Sequence, residues 1–280
     1  MPLDLQAEYD NRARVPDHLA IMTGWARDAM AWRAAAPLTE LDLPYGPGAR
    51  ERLDIFWPGR DRTAPLALFI HGGYWQALDK SWFSHCARGL NARGVGVAIP
   101  SYDLCPSVAL VRIVEEIRNA VIFLHRRHPR PLVATGHSAG GHLSAMLLAT
   151  HWPRLDARMP TGLVLAAVPI SGVFELEPLL STTIGAPLRL SRESARVLSP
   201  RYLTPPRGTM HAIVGGSESA EFIRQTRDFA AAWGGTWEAL EGRNHFTVLA
   251  PLADPESALV ARLAALCWDT RASPDADAST

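Results

Sequence analysis

Between residues 65 and 240 the chain repeats one pattern, a short apolar run without alternation followed by a longer segment with apolar residues at helical spacing. The runs are Pro65–Ile70, Val95–Pro100, Leu132–Thr135, Leu163–Ile170, Met210–Val214 and Thr236–Leu240. A strand with one wet face alternates apolar and polar residues. A continuous run predicts burial on both faces, which a helix-covered parallel sheet supplies. Helices are predicted over Lys80–Arg93, Val108–His128, Gly140–Thr150 and Glu221–Trp233, with a last one over Pro255–Trp268. Ahead of the runs, residues 18–35 have helical spacing, and ELDLPYG and RLDIFWP predict a β-hairpin from about Leu41 to Trp57. The order is that of an α/β fold with right-handed crossovers.

Residues 174–207 interrupt the pattern with several prolines and no clear strand, so an insertion lying over the strand ends as a partial lid is expected. Residues 1–270 are read as one domain, and the polar tail 271–280 as disordered.

Composition narrows the function. The 28 basic and 28 acidic side chains cancel, so there is no electrostatic footprint for nucleic acid. No window reaches the roughly 18 uninterrupted apolar residues of a membrane span. The charged N-terminus lacks the apolar core of a secretory signal. Cys86, Cys105 and Cys267 form no C-x-x-C, so zinc-ribbon and thioredoxin motifs are excluded, and buried thiols in a reducing cytoplasm are expected. No metal and no cofactor is expected. The single lysine, Lys80, sits in the polar stretch LDKSWFSH, with no sign of the desolvation that would activate a Schiff base.

Gly136-His137-Ser138-Ala139-Gly140 is G-x-S-x-G. A chain of this length yields roughly 0.1 such matches by chance. Here the strand LVAT leads into it and an Ala/Leu-rich helix follows, the setting in which the motif holds a serine hydroxyl proud of a sheet. Glycines two residues either side are needed because the turn is too tight for side chains, and the helix N-terminus favours developing negative charge. His71-Gly72-Gly73-Tyr74-Trp75, after the run PLALFI, matches a loop that turns backbone N–H groups inward. The oxyanion donors are assigned as Gly73, Tyr74 and Ala139 N–H, with His71 bracing the loop.

The serine needs a base. His245 follows the last strand run, at the strand–loop junction where this architecture places one. His137 and His142 flank the serine and are expected to point elsewhere. A carboxylate between Ser138 and His245 in chain order would orient the imidazole. Glu218, in the loop after MHAIV, fits that order. Glu221 is expected at the start of the next helix, Glu175 is the alternative from one strand earlier, and Asp254 breaks the order. Tyr74, Trp75, Trp82 and Phe174, aromatic residues near these loops, are the candidates for a flat apolar wall of the site.

These motifs resemble the α/β-hydrolase superfamily. HGGYWQALDKSWFS, YDLCPSVALVRIVEEIRNA, GHSAGGHLSAMLLAT, SGVFELEPLL and EFIRQTRDF together resemble its kynurenine formamidase (arylformamidase) branch, a neighbour of the hormone-sensitive-lipase-type esterases. The resemblance spans roughly residues 18–268. It implies an α/β-hydrolase fold with a mostly parallel eight-stranded sheet, a Ser–His–acid mechanism, no metal, and small aryl formamides or esters as substrates. A general carboxylesterase or lactonase of the same fold is the alternative, and a non-catalytic ligand-binding module the remote one. Many relatives use aspartate where this chain offers only Glu218 and Glu221. The oligomeric state is left open, a homodimer included.

Overall fold

The structure is a computed structural model that describes residues 3–60 and 62–269. Eight strands form one sheet: β1 (Leu38–Pro44), β2 (Arg52–Trp57), β3 (Leu66–Ile70), β4 (Gly96–Pro100), β5 (Leu132–His137), β6 (Val164–Ile170), β7 (Thr209–Gly215) and β8 (Thr236–Leu240). Their spatial order is β1-β2-β4-β3-β5-β6-β7-β8. β2 runs antiparallel to both neighbours, and every pairing from β4 onward is parallel. Within β3, Leu66, Leu68 and Ile70 enter one core cluster while Ala67 and Phe69 enter another. Alternate residues point to opposite faces of a strand, so both faces of β3 are dry, which is why its sequence does not alternate.

The helices are α1 (Leu5–Tyr9), α2 (Asn11–Arg14), α3 (His18–Ala35), α4 (Arg88–Ala92), α5 (Leu110–Arg127), α6 (Ala139–Leu148), α7 (Trp152–Leu155), α8 (Arg192–Val197), α9 (Ala220–Trp233) and α10 (Ala258–Asp269). One face of the sheet is covered by α5, α6 and α9 through residues such as Ile117, Leu143 and Phe229. The other is covered by α3, α4 and α10 through Trp25, Leu90 and Leu263. No helix among the described residues is long and apolar enough to cross a membrane.

Three expectations change. The helix predicted over Lys80–Arg93 is two 3-10 turns (Lys80–Trp82 and Ser84–Ala87) followed by α4. It breaks at Phe83, whose ring is drawn into the core against Trp25, Phe69 and His71. Lys80 is not left in solvent as its polar stretch suggested: it is buried, and its ammonium lies 2.8 Å from the Asp54 carboxylate and 2.6 Å from that of Asp42. Those partners come from β1 and β2, remote in sequence. Residues 5–14, left without structure by periodicity, form α1 and α2. All three cysteines are buried, and Cys86 and Cys105 are free thiols. The tail 271–280 lies outside the described residues.

Candidate active site

Six strands, β3 to β8, run parallel and end at one rim of the sheet, and the residues singled out above follow the C-terminal ends of β3, β5, β6, β7 and β8. Ser138 stands between β5 and α6 with φ +55° and ψ −116°, a conformation that L residues avoid. The turn is forced by proximity. A Cβ on Gly140 would lie 1.9 Å from the Ile70 carbonyl oxygen, and one on Gly136 would lie 2.4 Å from the Gly140 oxygen. Only glycine lets β5, the turn and the end of β3 approach so closely. The Ser138 N–H donates to the Ile170 carbonyl at 2.8 Å, tying the bend to β6.

After β3, the loop from His71 turns beneath the serine. A Cβ on Gly72 would meet that of Ser138 at 3.1 Å. Gly73 has φ +111°, and a Cβ there would lie 2.3 Å from the Ala77 oxygen. Tyr74 and Trp75 follow at φ +51° and +57°, and the N–H groups of Gln76 and Ala77 close the turn on the Gly73 carbonyl. Ala139 opens α6, so its N–H has no intrahelical acceptor. His71 is a brace: its ring stacks on Tyr102 with centroids 4.3 Å apart, and burial lowers its pKa to about 4. An imidazole so depressed stays neutral.

His245 and Glu218 meet at 2.6 Å between Nδ1 and Oε2. The other carboxylate oxygen accepts from the Gly215 N–H at 2.7 Å and from the Ser171 hydroxyl. Ser171, at φ +50° just past β6, had no sequence signal beyond its place after a strand. His137 does not point away, as expected above. Its Nε2–H donates to the His245 carbonyl at 2.8 Å, and the two rings are 4.7 Å apart. Burial, and then the neighbouring His245, hold the His137 pKa far below the usual histidine range. His142 donates instead to the Leu198 carbonyl at 2.7 Å, joining α6 to the insertion.

Glu175 is occupied elsewhere, accepting from Arg201 at 2.8 Å, Tyr202 at 2.6 Å and Arg224 at 3.1 Å. Glu221 lies in the first turn of α9, where it accepts from the Tyr9 hydroxyl and from Arg224, while Ser219 caps the helix. Ser138 and His245 line one cleft of about 730 Å³. No direct hydrogen bond joins them among the described residues, an arrangement common before substrate tightens such a site.

The cleft wall differs from expectation. Of the four aromatic candidates only Tyr74 lines it. Trp75 is fully buried with its ring edge-on to His142. Phe174 is fully buried and stacks on Phe229 at 4.1 Å. Trp82 packs on the core beneath α3. The apolar wall comes instead from Met22, Trp25 and Phe246. The insertion contributes Thr183 and Ile184, and the rest of the cover is the N-terminal segment carrying α1 and α2. That segment is anchored by Tyr9, which is fully buried. Its hydroxyl donates to Glu221 at 2.9 Å, and its carbonyl accepts from the Tyr74 hydroxyl at 2.7 Å. Among the described residues no three His, Cys, Asp or Glu side chains gather so as to hold a metal ion.

Comparison with known proteins agrees with this architecture. The BD-FAE family model matches residues 53–186. A kynurenine formamidase of Salmo salar is 32% identical over 231 residues, covering 77% of this chain and 78% of the relative. A kynurenine formamidase of Danio rerio is 30% identical over 239 residues, covering 80% of each. A crystal structure from Silicibacter sp. TM1040, described as a candidate thioesterase, is 35% identical with a TM-score of 0.86, covering 92% of this chain and 98% of that one.

Proposed function

The chain belongs to the kynurenine formamidase family of α/β-hydrolases, and on that premise we propose that it cleaves small aryl formamides and aryl esters through an acyl-enzyme formed on Ser138. His245 takes the proton from Ser138 Oγ as the oxygen attacks the formyl or acyl carbonyl. The resulting oxyanion is received by the N–H groups of Gly73, Tyr74 and Ala139. The imidazolium, held by Glu218, returns its proton to the departing amine or alcohol. Water then enters and, losing a proton to His245, attacks the acyl carbon; the bond to Ser138 Oγ breaks, the imidazolium returns that proton to Oγ, and the acid is released. The glutamate takes the place aspartate has in many triads, and its extra methylene is absorbed by anchorage to Gly215 and Ser171.

The observation that carries this reading is the 2.6 Å contact between His245 and Glu218 beside a strained serine in the same cleft. The physiological reaction proposed is N-formylkynurenine to kynurenine and formate, in the cytoplasm, a setting supported by the free thiols of Cys86 and Cys105. The test is Ser138→Ala, which should fold normally and lose at least about a thousandfold in turnover. Parental protein should be labelled by a fluorophosphonate probe and the variant should not. Near-parental turnover by the variant would sink the reading. The likeness to the Silicibacter protein favours a second reading, an esterase without amide activity. Turnover of N-formylkynurenine relative to p-nitrophenyl acetate and butyrate separates the two.

A further inference from the structure

In the turn after β3, Tyr74, Trp75 and Leu78 hold φ of +51°, +57° and +71°. Side chains with a Cβ avoid this region, and such backbone persists only where its surroundings over-determine it. The Tyr74 hydroxyl is tied to the Tyr9 carbonyl, and the Trp75 carbonyl accepts from the Cys105 N–H at 2.8 Å. Leu78, which lines the cleft, is held by a side chain from elsewhere. Its carbonyl accepts from Nη2 of Arg50 at 2.5 Å, while Nε of the same guanidinium donates to the Tyr102 carbonyl at 2.7 Å. Nε and Nη2 form one edge of a planar group, so their two N–H bonds run parallel at a fixed spacing. Arg50 stands in the turn between β1 and β2, whereas the two carbonyls belong to the loops after β3 and β4. Those loops are also joined by the Tyr102 hydroxyl on the His71 carbonyl at 2.9 Å and by the Lys80 N–H on the Ser101 hydroxyl at 3.0 Å. The loop after β3 is thus pinned at His71 and at Lys80, and Arg50 is the clamp at the left-handed residue between them.

We propose that Arg50 is a positioning residue for the hydrolytic centre: its guanidinium locks Leu78 against Tyr102 and so holds the turn from Gly73 to Leu78 in the strained form that offers the Gly73 and Tyr74 N–H groups to the oxyanion. Without the clamp the Leu78–Asp79 peptide is free to rotate, φ of Leu78 relaxes to an ordinary negative value, and the turn loosens from its far end. Lysine does not replace arginine here, because an ammonium lacks two parallel donors at a fixed spacing. The inference rests on the proposed hydrolytic reading, which assigns those N–H groups to the oxyanion. Both tetrahedral intermediates of that reading use the same donors, so acylation and deacylation slow together. The signature of a lost clamp is therefore a fall in kcat at nearly constant KM.

The experiment compares Arg50→Ala, Arg50→Lys and Arg52→Ala, in the full chain, by steady-state hydrolysis of p-nitrophenyl acetate. Arg52 is the control from the same hairpin: it donates to the carbonyls of Gly46, Gly48 and Glu51 and stays within that turn. Arg50→Ala should lower kcat about thirtyfold, somewhat less than outright removal of an oxyanion donor, with KM within about twofold of the parent. Arg50→Lys should remain at least about tenfold below the parent in kcat, and Arg52→Ala should match the parent. Hydrogen exchange read by mass spectrometry repeats the comparison without turnover. The Gln76 and Ala77 amides, bonded to the Gly73 carbonyl, should exchange at least about tenfold faster in Arg50→Ala and at the parental rate in Arg52→Ala. Parental kcat in either Arg50 variant, a rise in KM at parental kcat, a loss that Arg52→Ala equals, or unchanged exchange of the two amides overturns the proposal. Should Arg50→Ala fail to fold, Arg50→Lys, which keeps the stem and the charge, carries both measurements. If the parental protein neither hydrolyses the ester nor takes the fluorophosphonate label, the hydrolytic reading falls, and the exchange comparison alone decides the clamp.

Discussion

A carboxylate that accepts at once from an imidazole, a hydroxyl and a backbone amide has no room to turn. Glu218 is in that position, with His245, Ser171 and Gly215 as its three donors. Glu218→Gln should therefore be severe although nearly isosteric. Whichever way the amide is placed, its NH2 meets a donor, either Nδ1–H of the imidazole or the Gly215 N–H. A loss of about 10³- to 10⁴-fold in kcat is expected from steady-state kinetics, with little change in thermal stability. Ser171→Ala removes one of the two donors on the far oxygen and should lower kcat/KM about tenfold, the scale of a hydrogen bond to a charged group. If Ser171→Ala matches the parent, Ser171 has no positioning role. The two residues were not equally legible. Glu218 could be reached by chain order, because the acid must lie between nucleophile and base. Ser171 belongs to no motif and acts only because β6 and β7 are neighbours. The aromatic residues failed for a related reason. Tyr74 and Trp75 are adjacent and both left-handed in φ, and that turn sends one ring to the cleft and the other into the core.

At the scale of elements, two glycines illustrate different demands. Gly140 opens the first turn of α6 where the helix meets the end of β3, and a Cβ there would collide with the Ile70 backbone at 1.9 Å. Backbone cannot give way as a flexible side chain can. Gly140→Ala should displace α6 from the sheet, abolish measurable turnover and lower the melting temperature markedly. Gly234 ends α9 at φ +64° with nothing within 4 Å of a would-be Cβ. Its demand is conformational only, so Gly234→Ala should cost about 1 kcal/mol and leave kcat unchanged. Thermal denaturation and kinetics on the two variants separate the cases. Strand positions were readable because burial on both faces removes polar residues from the sequence, as in β3. Break points were not readable where the cause lies across the fold. Phe83 interrupts a helical pattern because its ring is needed by the core between α3 and β3. The helices α1 and α2, of 5 and 4 residues, are too short to establish a period, so the cover of the cleft went unread.

Across the whole molecule, burial of neutral imidazoles couples folding to pH. Burial lowers the pKa of His71, His85 and His142 to about 4 each, and that of His137 far below its usual range. An unfolded chain protonates these rings near pH 6.5. Between that value and about 4 the unfolded state holds more protons than the folded one, so stability falls as pH falls through this window and changes no further from these groups below it. Each histidine contributes at most about 1.4 kcal/mol per pH unit there. Glu116 acts in the opposite sense. Burial raises its pKa to about 7, so the folded state keeps a proton that the unfolded state has released, and stability rises as pH falls through the upper part of the window. Four rings against one carboxyl leave the histidines dominant. The melting temperature should therefore drop steadily from pH 6.5 to 4.5. His142→Gln should make the slope shallower, because glutamine can still donate to the Leu198 carbonyl that His142 now serves but does not titrate. A melting temperature that is flat or rising on acidification across that interval would mean these imidazoles are not held neutral in the folded protein.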